Sequence, residues 1–303
     1  MRRPLARPDG AGVGADHHVR RGGGRDGARR PGAAAPRHRR APRLPLRKVT
    51  TVTEPYRPSD ATLRFYPEAA VGGYPHVDGE IEFYLRVGAL VGPESRVLDL
   101  GAGRGQWAVE PAPRTRRDIR NLRGRVAEVV GCDVDPAVLD NPALDHAVVA
   151  PIGEPLPFDD DSFDLVIADY VLEHVAAEDV DQFVAEILRV LKPGGWFAAR
   201  TPNKWGLIGL AARAVPNSLH TRVLSRVQPE RKDIDVFPTR YAMNTRRRLR
   251  ELFSGHELFV YGDEAVPTYF EQHRAAWLAA SLYGRLTPRR MSSTLLVFVR
   301  TAS

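Results

Sequence analysis

The 303-residue sequence has a single cysteine, Cys132, which excludes a disulfide framework and a cysteine-built metal cluster. Long apolar runs are missing as well. The longest candidate, WGLIGLAARAV (Trp205–Val215), contains Arg213 and falls far short of the ~20 residues that a membrane span requires. A cytoplasmic protein without a transmembrane segment is expected. Aromatic residues are absent from residues 1–48, where Arg, Gly, Ala and Pro dominate. That stretch has too little apolar surface to offset the entropy of ordering, so a disordered tail is expected. Its arginines precede no apolar core of a secretory signal. The charge is equally uneven. Residues 1–48 carry 14 Arg and Lys against 3 Asp, whereas residues 49–303 carry 30 against 34. The formal +7 of the chain therefore lies in the tail, and the body is mildly acidic. An RNA-binding arm and an organelle transit peptide are conceivable, but this composition defines no mechanism, and translated upstream sequence is the favoured reading.

Strand-like and helix-like segments alternate from about Thr50, which argues for an α/β domain with a mostly parallel sheet over residues 49–303. DGEIEFYLRVGALVG opens with an aspartate cap and has apolar residues at helical spacing. RVLDL, RVAEVVGCD, DHAVVA, FDLVIAD and GWFAART are predicted strands. Val180, Phe183, Val184, Ile187, Leu188 and Leu191 give one helix a single buried face, which KPGG ends. NTRRRLRELF is a capped helix, and HELFVYG and STLLVFVR are late strands expected to pair antiparallel at the sheet edge. Residues 204–239 lack a regular pattern and are expected to form a lid or acceptor-binding insertion.

VLDLGAGRGQWA, Val97 to Ala108, carries the chemistry. A strand with one embedded carboxylate, Asp99, breaks into Gly101, Gly103 and Gly105, and a helix start is expected to follow. Outward-facing backbone N–H groups and the missing side chains suit an anionic or ribose-bearing ligand. A dinucleotide fingerprint can be laid on Gly103, Gly105 and Ala108, but that match alone is weak. A nicotinamide-dependent oxidoreductase is accordingly one rival reading. A nucleic-acid-binding protein led by its Arg-rich tail is the other, although the body shows no basic stripe with interleaved aromatics.

VLDLGAGRGQWA, VVGCDVDP, PLPFDDDSFDLVIADYVLEHV and LRVLKPGGWFAARTPN resemble, in order, the successive motifs of class I S-adenosylmethionine-dependent methyltransferases. The resemblance spans roughly Asp78 to Asn203. It implies a Rossmann-like, seven-stranded, mostly parallel sheet with helices on both faces and a final antiparallel strand. It also implies S-adenosyl-L-methionine as cofactor and methyl transfer to a small-molecule, glycan or lipid acceptor, with no metal. Carried over, Asp99 fixes the loop or reaches the ligand's amine, and Gly101, Ala102 and Gly103 approach its methionine part. Asp133 accepts from both ribose hydroxyls, Val134 lies against adenine, and Ala168 contributes a backbone contact beside the amine. Many relatives carry an aspartate before the LPF segment. Here VVAPIGEPLPF leaves adenine to backbone groups near Ile152 and Gly153. Between Gly105 and Asp133, the polar stretch PRTRRDIRNLRG reads as an insertion.

Methyl transfer from an activated donor needs positioning above all, and a base only where the acceptor must lose a proton. His174 is the candidate base, with Glu173 placed to orient it; a structural role for His174 is the alternative. Asp169 and Tyr170 are expected to shape the rim, and Cys132 to be a buried small hydrophobe. His220, Asp233, Asp235 and Tyr241 are acceptor-side candidates, for which a solvated surface is the favoured alternative. Tyr66, Tyr74 and His76 could belong to a lid.

Overall fold

Period-two alternation of apolar residues along the strands decides the layering. Leu98, Leu100, Val166, Ala168, Leu295, Val297 and Val299 bury on one side, and Val97, Leu165, Ile167, Leu296 and Phe298 on the other. The computed structural model describes residues 56–151, 153–206, 239–263, 274–288 and 291–303. Residues 1–48, most of 204–239, and with them His220, Asp233 and Asp235, lie outside the described residues, as does Ile152.

Seven strands make one sheet: β1 (Arg96–Leu100), β2 (Glu128–Asp133), β3 (His146–Val149), β4 (Phe163–Asp169), β5 (Leu191–Pro202), β6 (Glu257–Asp263) and β7 (Thr294–Arg300). Their spatial order is β3-β2-β1-β4-β5-β7-β6. The pairings from β3 to β5 are parallel, while β7 runs antiparallel to both β5 and β6. The late strands thus form the expected hairpin at the edge, with the last strand slotted inside the sheet.

Helices cover both faces. α1 (Asp60–Phe65) is capped by the Ser59 hydroxyl, which accepts from Thr62 N–H. α2 (Gly79–Ala89) starts at Asp78, whose carboxylate accepts from the amides of Glu80 and Ile81 and satisfies two orphan donors. It packs Phe83, Tyr84 and Val87 on the Val97–Ile167 face. α3 (Arg114–Arg120) lies beside it. On the opposite face, α4 (Val180–Val190) buries Val180, Val184 and Ile187, and α5 (Arg246–Leu252) buries Leu249. α6 (Arg274–Leu286) buries Trp277 against Phe65 and Tyr66.

Two local expectations need correction. α4 ends at Val190, one residue before the position expected for the edge of its apolar face, and KPGG is already part of β5. Pairing with β4 jumps from Phe163↔Leu191 to Leu165↔Trp196, so the extra residues are absorbed as a bulge. Secondly, no helix starts directly after the glycine loop. A single 3-10 turn, Gln106–Ala108, stands there, and the helix comes later as α3. The stretch read as an insertion is therefore the helix that follows the loop.

Candidate functional site

The chain order reverses between β1 and β4, and there the sheet opens. Their pairing stops at Asp99↔Ile167, although β1 continues to Leu100 and β4 to Asp169. A crevice outside the carboxyl ends of parallel strands at such a reversal is where open α/β sheets bind ligands. The glycine loop closes its floor. Gly101, Gly103 and Gly105 all have left-handed φ, at +75°, +53° and +66°. A side chain at Gly101 would strike Val171, so the loop can lie this close to the turn after β4 only as glycine. At Gly103 a Cβ would meet nothing within 4 Å, which marks the open side of the loop. The Asn141 amide holds the loop from behind, donating to the carbonyls of Ala102 at 3.0 Å and Gly103 at 3.1 Å.

Asp133, at the end of β2, faces the same loop. One carboxylate oxygen accepts from Gly103 N–H at 2.8 Å and the other from Asp135 N–H at 2.9 Å. A carboxylate has about four acceptor positions, so two remain for a pair of vicinal hydroxyls. Val134 beside it is exposed, and Gly153 has φ +80° with open space around it. Ala168 is fully buried at the point where β1 and β4 part.

One face of the crevice is polar and crowded. Asp99, Asp169 and Arg200 share the α2 side of the sheet. Arg200 holds Asp169 through two hydrogen bonds of 2.7 and 2.9 Å, and the Tyr84 hydroxyl donates to the same carboxylate at 3.0 Å. Arg120 reaches in from α3, 3.4 Å from Asp169 and 2.7 Å from Glu80. Its guanidinium stacks over the rings of Tyr84 and Trp107. Burial alone would raise the Asp169 carboxyl, but Arg200 and Arg120 outweigh it and hold it below the usual range. Among the described residues Asp99 receives no such pairing. Its carboxylate opens on a small cavity lined by Tyr84, Trp107, Arg120 and Ile167. Burial pushes it up to about 7, with Arg120 opposing and Asp169 and Asp133 adding to the rise. A half-buried carboxylate with no bonded cation among the described residues, beside a glycine loop, suits a cationic group of a ligand.

The turn after β4 carries a second cluster. Tyr170 is left-handed at φ +59°, a conformation that costs a non-glycine residue on the order of 1 kcal/mol. Its N–H donates to Arg200 O at 2.8 Å, which holds the turn. Glu173 is buried, accepting from the Thr201 hydroxyl at 3.0 Å, and burial pushes its carboxyl up to about 7. Asn244 donates to Thr201 in turn, and the amides of Arg240 and Tyr241 donate to the Glu173 carbonyl. His174 is partly exposed, with Nε2 4.0 Å from the Glu173 carboxylate.

Residues 98–199 match the family model described as a methyltransferase domain. The chain carries a class I, S-adenosylmethionine-dependent methyltransferase domain. A probable S-adenosylmethionine-dependent methyltransferase of Mycolicibacterium smegmatis is 35% identical over 140 residues, which is 44% of this chain and 47% of that protein. A biotin biosynthesis bifunctional protein of Teredinibacter turnerae is 35% identical over 134 residues, 41% of this chain and 22% of that protein. An uncharacterized methyltransferase of Synechocystis is 31% identical over 121 residues, 38% of this chain and 52% of that protein. The chain thus spans between about a fifth and a half of the length of these relatives.

The methyltransferase domain gathers Asp99, Gly101, Ala102, Gly103, Asp133, Val134, Gly153, Ala168 and His174 along the carboxyl edge of one sheet. Tyr66 is different. It is buried against Trp277 and His76 in a cluster of its own, away from the loop. Cys132 is buried as expected, and burial pushes its thiol up to about 12. Arg120 and Arg200 were not found in the sequence. The available signal was Arg116 and Arg120, four apart and therefore on one helical side, opposite the acidic start of α2.

Proposed function

We propose that the whole protein transfers a methyl group from S-adenosyl-L-methionine to a small-molecule, glycan or lipid acceptor. The observation that carries this reading is the Asp133 carboxylate, set 2.8 Å from the open glycine of the loop with acceptor capacity to spare. The residues present fit the cofactor. Asp133 takes the ribose hydroxyls and Val134 offers an apolar surface to the base. Backbone around Ile152 and Gly153 serves the adenine edge. Asp99 and the Ala168 backbone take the amine, and Gly101 to Gly103 admit the methionine chain. When bound, the cofactor supplies a methyl on a sulfonium that departs as a neutral thioether.

The chain's own residues then orient and deprotonate. The left-handed Tyr170 turn sets the segment 170–174 at the carboxyl end of β4, beside the crevice, where it would position an acceptor. His174 takes the acceptor's proton where it has one to lose, and buried Glu173 stabilises the imidazolium that forms. Residues 204–239 leave the carboxyl edge of β5, and their mix of apolar and isolated polar side chains suits an acceptor pocket. Relatives whose names specify acceptors of lipid character, a ubiquinone/menaquinone C-methyltransferase of Laribacter hongkongensis and a sterol 24-C-methyltransferase of Schizosaccharomyces pombe, are compatible with this range.

Calorimetric titration of the full chain with S-adenosylhomocysteine, NAD and a single-stranded oligonucleotide tests the reading. Micromolar binding of the first alone is expected. Binding of NAD or the oligonucleotide in its place would favour a rival.

A further inference from the structure

Three arginines stand on the α2 side of the crevice, and two of them are engaged. Arg200 gives Asp169 two hydrogen bonds of 2.7 and 2.9 Å. Arg116 pairs with Asp78 and reaches Glu80 at 3.6 Å. Arg120 differs from both. Its one hydrogen bond among the described residues goes to Glu80 at 2.7 Å, whereas a guanidinium has several N–H donors to give. Its side chain remains 20% exposed. Of the three it alone lines the small cavity shared by Asp99, Tyr84 and Trp107. The Tyr84 and Trp107 rings, with centroids 5.0 and 4.7 Å from the guanidinium carbon, hold that planar fork in one orientation.

The amino-acid tail of the cofactor is a zwitterion whose amine and carboxylate hang from one carbon. An amine at Asp99 therefore brings the carboxylate to the neighbouring wall of the same cavity. Asp99 itself stands there, with Glu80 and Asp169 behind the guanidinium, so a carboxylate without its own cation would meet like charge. Arg120 has the donors, the exposure and the orientation to receive it, and a guanidinium fork matches a carboxylate through two parallel hydrogen bonds. We infer that Arg120 binds the carboxylate of the cofactor's amino-acid tail and so selects cofactor forms that carry one. The inference rests on the proposed placement of the amine at Asp99. It also gives α3, in the stretch that resembled an insertion, a share in the binding site.

Decarboxylated S-adenosylhomocysteine keeps the base, the ribose and the amine and lacks only the carboxylate, so it separates the two ends of the zwitterion. In calorimetric titrations of the full chain at pH 8, S-adenosylhomocysteine should bind about tenfold or more tightly than this analogue, the scale of a charge-assisted hydrogen bond. Arg120→Met should weaken S-adenosylhomocysteine by a similar factor and leave the analogue within about twofold. Arg120→Lys keeps the charge without the fork and should fall between the two. Equal losses for both ligands in Arg120→Met would make Arg120 a structural residue. Equal affinities of the parent for both would mean that no cation reads the carboxylate. Either result overturns the inference and leaves the cofactor reading intact. A selective loss in Arg104→Met, with Arg120→Met unchanged, would move the carboxylate to the glycine loop and overturn it as well. A parent that binds neither ligand would overturn the cofactor reading itself, and this inference with it.

Discussion

Asp99 offers the sharpest perturbation. Its carboxyl is pushed up to about 7 by burial, and among the described residues no donor forms a hydrogen bond to it. A ligand amine placed beside it favours the ionised form, so binding below pH 7 must release a proton. At pH 5.5 about 3% of the group is ionised, and affinity for S-adenosylhomocysteine should therefore fall about thirtyfold from its value at pH 8, or about 2 kcal/mol. Titration calorimetry across that range gives the slope, and repeating it in buffers of different ionisation enthalpy counts the proton released. Asp99→Asn should bind more weakly at pH 8 and show a nearly flat profile. Glu173 titrates over the same range but faces Thr201, so the slope it leaves in Asp99→Asn should be small. A flat profile in the parent protein, or an unchanged slope in Asp99→Asn, would refute the placement of the amine beside this carboxylate.

Other consequences are open to direct measurement. Asp133→Ala removes a charged acceptor from the ribose and should weaken S-adenosylhomocysteine binding by roughly 1.5–3 kcal/mol, read by the same titration; unaltered affinity would remove Asp133 from the site. Arg200→Met leaves Asp169 buried with Arg120 and Tyr84 only, and should lower unfolding free energy in urea by about 3 kcal/mol, with part regained in Arg200→Met/Asp169→Leu. The folded carboxyl of Glu173 is raised to about 7, so its stability contribution is present below about pH 4.5 and is lost as pH rises through 7. Glu173→Gln should flatten that part of the decline between pH 5 and 8 in urea titrations. A chain beginning at Val49 should melt within a degree or two of the full chain; a larger loss would show that the tail docks on the body.

The sheet was legible because its strands obey two simple rules. Continuous apolar runs buried on both faces, as in FDLVIAD and STLLVFVR, and shorter runs ended by glycine or aspartate, locate six of the strands to within a few residues. The glycine loop was legible because left-handed backbone beside a close neighbour leaves few alternatives to glycine. The arginine network was not. PRTRRDIRNLRG has the composition of a solvated face, and only the fold brings Arg120 under Tyr84 and against Asp169, 49 residues further along the chain. Tyr170 was equally hidden, since its left-handed φ is imposed by packing between β4 and β5 and by the Arg200 carbonyl. The helix after the glycine loop was misplaced for a local reason: Pro111 and Pro113 interrupt the backbone N–H series where a longer helix would run.

A crystal structure of the full chain with S-adenosylhomocysteine tests the central claim most directly. The account predicts both ribose hydroxyls within hydrogen-bond distance of the Asp133 carboxylate, the adenine against Val134, and the amine beside Asp99 and the Ala168 carbonyl. A ligand bound away from the β1–β4 crevice, or an Asp133 that still contacts only the Gly103 and Asp135 amides, would contradict it.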